Sequence, residues 1–258
     1  MTAPPLTVDS LTVSIGGAEL LHDISFTLAP GERLGLIGGS GSGKTLTALA
    51  VAGLLPEEAK VSGSVRLGDT ELLGLSERDL AAVRGEHVGM VFQEPKTALN
   101  PLQRLGLQMT EALSLHYSLS RAERKAAALR LAERVGLSDP ERMVRAFPHE
   151  VSGGQRQRAA IAAALSANPA VLLADEPTTA LDVTVQRGVL QLFRELTEGD
   201  STSLVFITHD LAVMAEVAER VLVFNAGRII ESGPVQQIIG APRHEVTREL
   251  IHAAGGSA

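Results

Sequence analysis

Apolar and polar residues alternate through the first thirty positions. Leu11, Val13 and Ile15 fall on one face of an extended segment, and Ile24, Phe26 and Leu28 on one face of the next. That pattern predicts half-buried antiparallel strands. Pro30-Gly31 punctuates them, and Arg33 to Ile37 then reads as a short buried strand running into the glycine-rich stretch Gly38 to Gly43. A helix is predicted from about Lys44 to Leu55. Val171 to Ala174, Leu204 to Ile207 and Val221 to Phe224 are short, β-rich and bounded by polar or turn residues. Such runs suit strands covered on both faces, and so a mostly parallel sheet. Ser120-Arg-Ala-Glu123 is a capping box opening a helix to about Val135, ended near Gly136. From about Pro101 to Pro148 no strand pattern stands out, which reads as a helical insert in an α/β fold.

Composition narrows the classes. A chain of 258 residues suits one large α/β domain or two small ones, and the absence of cysteine excludes disulfides, thiolate metal sites and iron–sulfur clusters. The net charge of −7 argues against a general phosphate-backbone binder, which relies on basic faces. A mean hydropathy of +0.15 is high, yet the longest apolar runs, Ala48 to Leu55 and Ala159 to Leu165, fall far short of the roughly 20 residues that span a bilayer. The opening Met1-Thr-Ala-Pro-Pro5 carries neither a basic region nor an apolar core, so the chain is expected to stay in the cytoplasm.

The chemistry concentrates in two places. Gly38-Gly39-Ser40-Gly41-Ser42-Gly43-Lys44-Thr45 satisfies G-x-x-x-x-G-K-[ST]. Its glycines let backbone N–H groups converge on phosphate oxygens, and the following helix N-terminus adds a favourable dipole. Lys44 is expected to reach the β- and γ-phosphates of a bound nucleotide, and Thr45 a magnesium ion. Asp175-Glu176 follows the apolar strand Val171 to Ala174, placing two acids at the carboxyl end of a parallel strand, where α/β sheets put their ligand crevice. Alone, such a pair is an ordinary strand end; beside a phosphate loop, Asp175 is a candidate holder of Mg2+ and Glu176 a candidate to polarise the water attacking the γ-phosphate. The separation of the two motifs exceeds what one βαβ crossover needs, and the helical insert fits the gap.

Further motifs stand in a fixed order around these. Gln93 lies in Val91-Phe-Gln-Glu-Pro95, Val151-Ser-Gly-Gly-Gln-Arg-Gln-Arg158 heads an alanine-rich helix, and Thr179-Ala-Leu-Asp182 and Thr208-His-Asp210 follow. Taken with the phosphate loop and Asp175-Glu176, the set resembles the ABC-type ATPases over roughly residues 6 to 235. The resemblance implies one ABC ATPase domain of the P-loop NTPase class across residues 1–258. In it a core with a mostly parallel sheet and an N-terminal antiparallel β subdomain takes about 1–92 and 160–240, a helical signature subdomain about 93–159, and a short tail 241–258. It also implies that Gln93 contacts magnesium or the attacking water, that His209 contacts the γ-phosphate, and that Asp182 lies at a subunit boundary. Ser152, Gly153, Gly154 and Gln155 would face the nucleotide held by a second subunit, so that two ATP molecules are sandwiched head to tail and a lone chain hydrolyses poorly. Read without the resemblance, Gln93 is a loop amide, His209 a strand-end histidine, and the Ser152 turn a helix cap whose small residues expose N–H groups to an anion. The family usually stacks adenine on an aromatic residue at a position that falls here at about Ile15, which offers apolar contact without π-stacking, or is simply a strand residue.

Within the family, several segments are similar to the peptide/nickel import branch: Phe92-Gln-Glu-Pro95 with Leu99-Asn-Pro101, Phe147-Pro-His-Glu150, Pro177-Thr-Thr-Ala-Leu-Asp-Val-Thr184 and Thr208-His-Asp-Leu211. Many members carry a longer, cysteine-bearing tail. Here the tail Ala241-Pro-Arg-His-Glu-Val-Thr-Arg-Glu-Leu250 has Glu245 and Val246 where Pro and Tyr are usual, a departure shared, like Gly39, with short nickel-import ATPases. The resemblance therefore leans towards a nickel or metal-chelate cargo over di- or oligopeptides. It implies two permease subunits, a second ATPase subunit as homodimer or paralogous heterodimer, an extracytoplasmic substrate-binding protein, no nucleic acid, and a peripheral place on the cytoplasmic face of the cell membrane. A DNA-repair or translation-factor ATPase is the alternative, but it would bring a long coiled-coil insertion, a basic groove or two motif sets.

Overall fold

The alternation at the start of the chain becomes two long strands, β1 (Leu6–Ile15) and β2 (Ala18–Leu28). The computed structural model describes residues 3–93, 99–179, 181–197 and 202–253. Leu6 and Val8 are buried, then Leu11 and Val13, so the inward phase of β1 slips between Val8 and Leu11. Ser10 takes up the slip at φ 50, and Asp23 makes the matching adjustment in β2 at φ 53. Without these bulges a strict two-residue repeat would turn half of the apolar side chains to solvent. β4 (Lys60–Leu67), with β5 (Thr70–Glu71), completes an antiparallel sheet in the order β2-β1-β4-β5. Gly63 of β4 lies against the bulge at φ 101, where a Cβ would stand 2.5 Å from the Ser10 carbonyl oxygen and 2.6 Å from that of Asp9.

The second sheet is built from β3 (Arg33–Gly38), β6 (Val88–Val91), β7 (Val171–Asp175), β8 (Ser203–Ile207), β9 (Arg220–Asn225) and β10 (Arg228–Pro234), in the order β10-β9-β3-β8-β7-β6. All its pairs are parallel except the hairpin of β9 and β10. Every residue of β7 and β8 is buried, because alternate side chains enter different cores. Leu173, Val205, Ile207 and Leu222 pack towards α1 (Lys44–Val51) and the antiparallel sheet. Leu172, Ala174, Leu204 and Phe206 pack among helices on the other side, with Phe206 edge-on to Phe193 at 5.5 Å between ring centroids. This explains why these strands read as continuous apolar runs.

α1 is shorter than its sequence pattern. It stops at Ala52, where the N–H groups of Gly53 and Leu54 turn back onto the carbonyls of Ala50 and Leu49, ahead of Pro56. β4 and β6 have no counterpart among the expected strands: β4 carries only a weak alternation, and β6 is four residues long. After α2 (Glu77–Val83) and β6, the described chain up to β7 contains helices and turns alone: α3 (Leu105–Met109), α4 (Glu111–His116), α5 (Arg121–Arg134), α6 (Pro140–Met143) and α7 (Gly153–Ala164). The Ser120–Glu123 capping box opens α5, with the Ser120 hydroxyl accepting from the Glu123 N–H at 3.3 Å and the Glu123 carboxylate from the Ser120 N–H at 2.8 Å. α8 (Val183–Leu196), α9 (Leu211–Val217), α10 (Val235–Gly240) and α11 (Glu245–Ala253) follow. Among the described residues no helix is long and apolar enough to cross a membrane.

Gly63→Ala must force a side chain into the left-handed region, at about 1–2 kcal/mol, and push the Asp9–Ser10 backbone aside. Chemical denaturation is expected to show a loss of about 2 kcal/mol or more; unchanged stability would mean that the bulge yields freely.

Candidate functional site

The carboxyl ends of β3, β7 and β8 open on one side of the sheet, the position where a ligand crevice forms in α/β folds. From β3 the chain turns through Gly38–Gly43 into α1. Gly43 precedes that helix at φ 108, no side chain caps it, and its first turn holds no acidic residue, so its N–H groups are left for an anion from outside. Gly38 passes so close to β9 that a Cβ would stand 2.3 Å from the Phe224 carbonyl oxygen.

Lys44 lies under this loop, only 6% exposed. Its Nζ donates to the carbonyl oxygens of Gly38 at 2.9 Å and Gly39 at 2.8 Å, and to the Ser42 hydroxyl at 3.3 Å. Burial lowers the pKa of this ammonium, an effect opposed by the negative charges of Glu176 and Asp175. Asp175, at the end of β7, is likewise buried, and burial raises its pKa against the hydrogen bond from Thr45. Thr45 Oγ1 donates to Asp175 Oδ1 at 3.1 Å, so the phosphate loop and the acidic pair meet directly although 130 residues separate these two side chains.

Glu176 follows at φ 43, a left-handed backbone that is unusual for a residue with a side chain. Its N–H donates to the Ile207 carbonyl of β8 at 3.0 Å. Gln93 Nε2, from beyond β6, donates to Glu176 Oε2 at 3.1 Å, and His209 Nδ1, from beyond β8, lies 3.2 Å from Oε1. Thr179 Oγ1 donates to Oε2 at 2.8 Å. The structure thus brings the loop Gly38–Thr45, Asp175, Glu176, Gln93 and His209 together. Thr179 joins them although the sequence reading assigns it no role; its signal is the spacing, a hydroxyl three positions after a carboxylate with Pro177 between. Glu94 and Pro95 beside Gln93, and Ala180 beside Thr179, lie outside the described residues.

The remaining candidates stand apart from this cluster. Ser152 caps α7, its hydroxyl accepting from the Gln155 N–H at 3.3 Å while Gln155 Oε1 accepts from the Ser152 N–H at 2.9 Å. With Gly136, Ser138 and Val185 they line a separate pocket of about 270 Å3. A Cβ on Gly153 would meet open space, whereas one on Gly154 would strike Val185 Cγ1 at 2.4 Å. Asp182 caps α8, accepting from the N–H groups of Thr184 and Val185 at 3.1 Å each. Ile15 ends β1, partly buried against the core of the antiparallel sheet.

No group of three or more His, Cys, Asp or Glu able to hold a metal occurs among the described residues. The oxygen donors that do meet here, the Thr45 hydroxyl and the Asp175 carboxylate, with the Gln93 amide nearby, are hard and few. That set fits Mg2+, which keeps several waters and takes further oxygens from phosphates, rather than a cation that needs a full protein cage.

A family model described as ABC transporter matches residues 21–179. The oligopeptide transport ATP-binding protein OppD of Bacillus subtilis is 45% identical over 95% of this chain and 70% of its own length. The peptidoglycan transport ATP-binding protein YejF of Agrobacterium fabrum is 46% identical over 98% of this chain, which spans 47% of that relative. Among solved structures, the ATP-binding cassette MJ0796, a dimer in a post-hydrolysis state bound to ADP and Pi, superposes with a TM-score of 0.79 at 29% identity, covering 89% of this chain and 98% of its own. With a phosphate loop, a buried lysine, a buried aspartate bonded to Thr45 and a framed carboxylate on one sheet edge, and with relatives matched over nearly its whole length, the chain belongs to the ABC transporter family of ATPases.

Proposed function

We propose that this chain is the ATP-binding and ATP-hydrolysing subunit of a membrane importer for peptides, driving uptake through partner permeases by ATP-dependent closure of an ATPase dimer. The observation that carries the reading is the convergence of Gln93, Thr179 and His209 on the Glu176 carboxylate, beside the Lys44 ammonium and the uncapped α1 N-terminus. In this reading the N–H groups of Gly39–Thr45 and the Lys44 ammonium seat the β- and γ-phosphates, and Thr45, Asp175 and Gln93 would hold Mg2+. Bound there, Mg2+ supplies charge neutralisation at the phosphate oxygens. Glu176 orients the attacking water and takes its proton as the bond to phosphorus forms and ADP leaves, while His209 steadies the γ-phosphate. Ile15 gives the adenine an apolar contact.

The site is half of a functional unit. Ser152, Gly153, Gly154 and Gln155 of a second ATPase subunit face the γ-phosphate, and Asp182 lies at that boundary. What supports this is the open space at Gly153, the pocket that the Ser152 turn lines with Val185 and not with the phosphate loop of its own chain, and the dimeric state of the solved neighbour. In this reading the domain divides into a core at about 1–92 with 160–240, a helical signature segment at about 93–159 and a short tail at about 241–258. Phe92 and Leu102, 41% and 85% exposed, offer an apolar surface to two permeases, and an extracytoplasmic binding protein delivers cargo. The chain then sits peripherally on the cytoplasmic face of the membrane. Peptide rather than nickel is taken as the cargo class because the relatives compared above are named for oligopeptide and peptidoglycan transport; Glu245 and Val246 remain the feature that points to a nickel or metal-chelate system. The same names weigh against a non-transport ATPase.

Glu176→Gln keeps the shape and the hydrogen-bonding reach of the side chain but cannot take a proton. It is expected to retain ATP binding and to lose turnover by about a hundredfold or more, and near-normal hydrolysis would remove Glu176 from this role. Asp175→Asn separates stability from function. Because burial raises the folded-state pKa of Asp175, its contribution to stability is full below the unfolded value and is lost as pH rises through the folded one, so the ionised group costs stability at neutral pH. The asparagine variant is therefore expected to melt higher than wild type at pH 7 without nucleotide, by a margin that shrinks towards pH 4, while losing Mg2+-dependent turnover; a lower melting temperature at pH 7 contradicts the sign. Finally, Phe92→Ala with Leu102→Ala is expected to reduce permease-stimulated ATP turnover while leaving nucleotide affinity intact, and loss of nucleotide binding in the isolated chain would place that surface elsewhere.

A further inference from the structure

Glu176 is fixed at the backbone by the fold and at the carboxylate only by side-chain hydrogen bonds. Its N–H is fixed to Ile207 at the end of β8, and its φ of 43 leaves little room for adjustment at the Cα. The side chain beyond it still has rotamer freedom, and a water-activating carboxylate acts only from a narrow range of positions. Three groups restrain it. Gln93 at 3.1 Å and His209 at 3.2 Å reach it from other strands. Under the reading above, both have business with the nucleotide once ATP enters, so neither can remain dedicated to Glu176. Thr179 differs in both respects. It belongs to the turn that Glu176 itself begins, closing that turn through its N–H to the Glu176 carbonyl at 3.4 Å and returning its hydroxyl to Oε2 at 2.8 Å. A hydroxyl donating to a carboxylate is among the stronger side-chain hydrogen bonds, and this one engages Oε2, not the Oε1 that His209 approaches.

We infer that Thr179 is a positioning residue for Glu176: its hydroxyl holds the carboxylate in the orientation from which Oε1 reaches the attacking water, and it makes no contact with nucleotide itself. The inference rests on the reading of Glu176 as the water-polarising base.

Steady-state ATP turnover and nucleotide affinity of the full chain test this with Thr179→Val, Thr179→Ser and Glu176→Gln, each alone, and with Thr179→Val combined with Glu176→Gln. Thr179→Val is expected to lower kcat about tenfold with KM and ATP affinity unchanged and no drop in melting temperature, while Thr179→Ser, which keeps the hydroxyl, stays within about twofold of wild type. In the Glu176→Gln background, Thr179→Val is expected to cause no further loss, since the group it positions is already gone. Full turnover in Thr179→Val, equal losses in the serine and valine variants, or a loss of affinity matching the loss of kcat each overturns the inference. If Glu176→Gln itself turns over normally, the assignment of the base is what fails; if it is inactive while Thr179→Val is normal, only the positioning role fails.

Discussion

One ammonium group sets the conditions for the rest of the site. Lys44 is buried beneath its loop, and its nearest partners are two backbone carbonyls and a hydroxyl, none of which carries a full negative charge. Its charge is compensated only through space by Asp175 and Glu176. A buried cation in that state favours the arrival of anionic oxygens, and α1 points its uncapped N–H groups into the same space. In the proposed reading, phosphate relieves both demands at once. Asp175 is the counterpart: a carboxylate taken from water, its pKa raised by burial, accepting a hydrogen bond from Thr45. Nucleotide binding is thus coupled to the stability of the chain itself, since the ligand completes electrostatics that the protein leaves open.

The fold serves that arrangement by bringing distant segments to one edge. A parallel sheet ends its strands in the same direction, so the residues that follow β3, β6, β7 and β8 meet although long stretches of sequence separate them. Two cores on opposite faces of that sheet fix the strand ends: one shared with α1 and the antiparallel sheet, the other with α7, α8 and α9.

The parts most legible in the sequence are those where chemistry restricts the residue type. A loop that folds backbone around phosphate needs glycines at set places, and two acids after an apolar strand beside such a loop have few other uses, so Gly38–Thr45, Asp175 and Glu176 stand out on chemical grounds. Gln93 and His209 do not; an amide and an imidazole are ordinary at strand ends, and the resemblance of the surrounding motifs brought them forward. Strands β7, β8 and β9 were legible because both faces are buried. β6, at four residues, and β4, with serine and glycine at its centre, carry too little apolar pattern to be seen. The bulges at Ser10 and Asp23 are invisible as well, since either residue suits an exposed strand position and only the pairing reveals the shifted phase. Thr179 escaped notice because its contact depends on a turn geometry that the residue types alone do not dictate.

The central claim is that the Lys44 ammonium and its loop are a seat for the phosphates of ATP. Equilibrium titration of Mg-ATP into the full chain, comparing wild type with Lys44→Ala, tests it most directly. The account predicts one nucleotide bound per wild-type chain and an affinity weaker by roughly a hundredfold in the variant, the scale expected when one partner of a buried charge-assisted contact is removed. Equal affinity in the two proteins would contradict it.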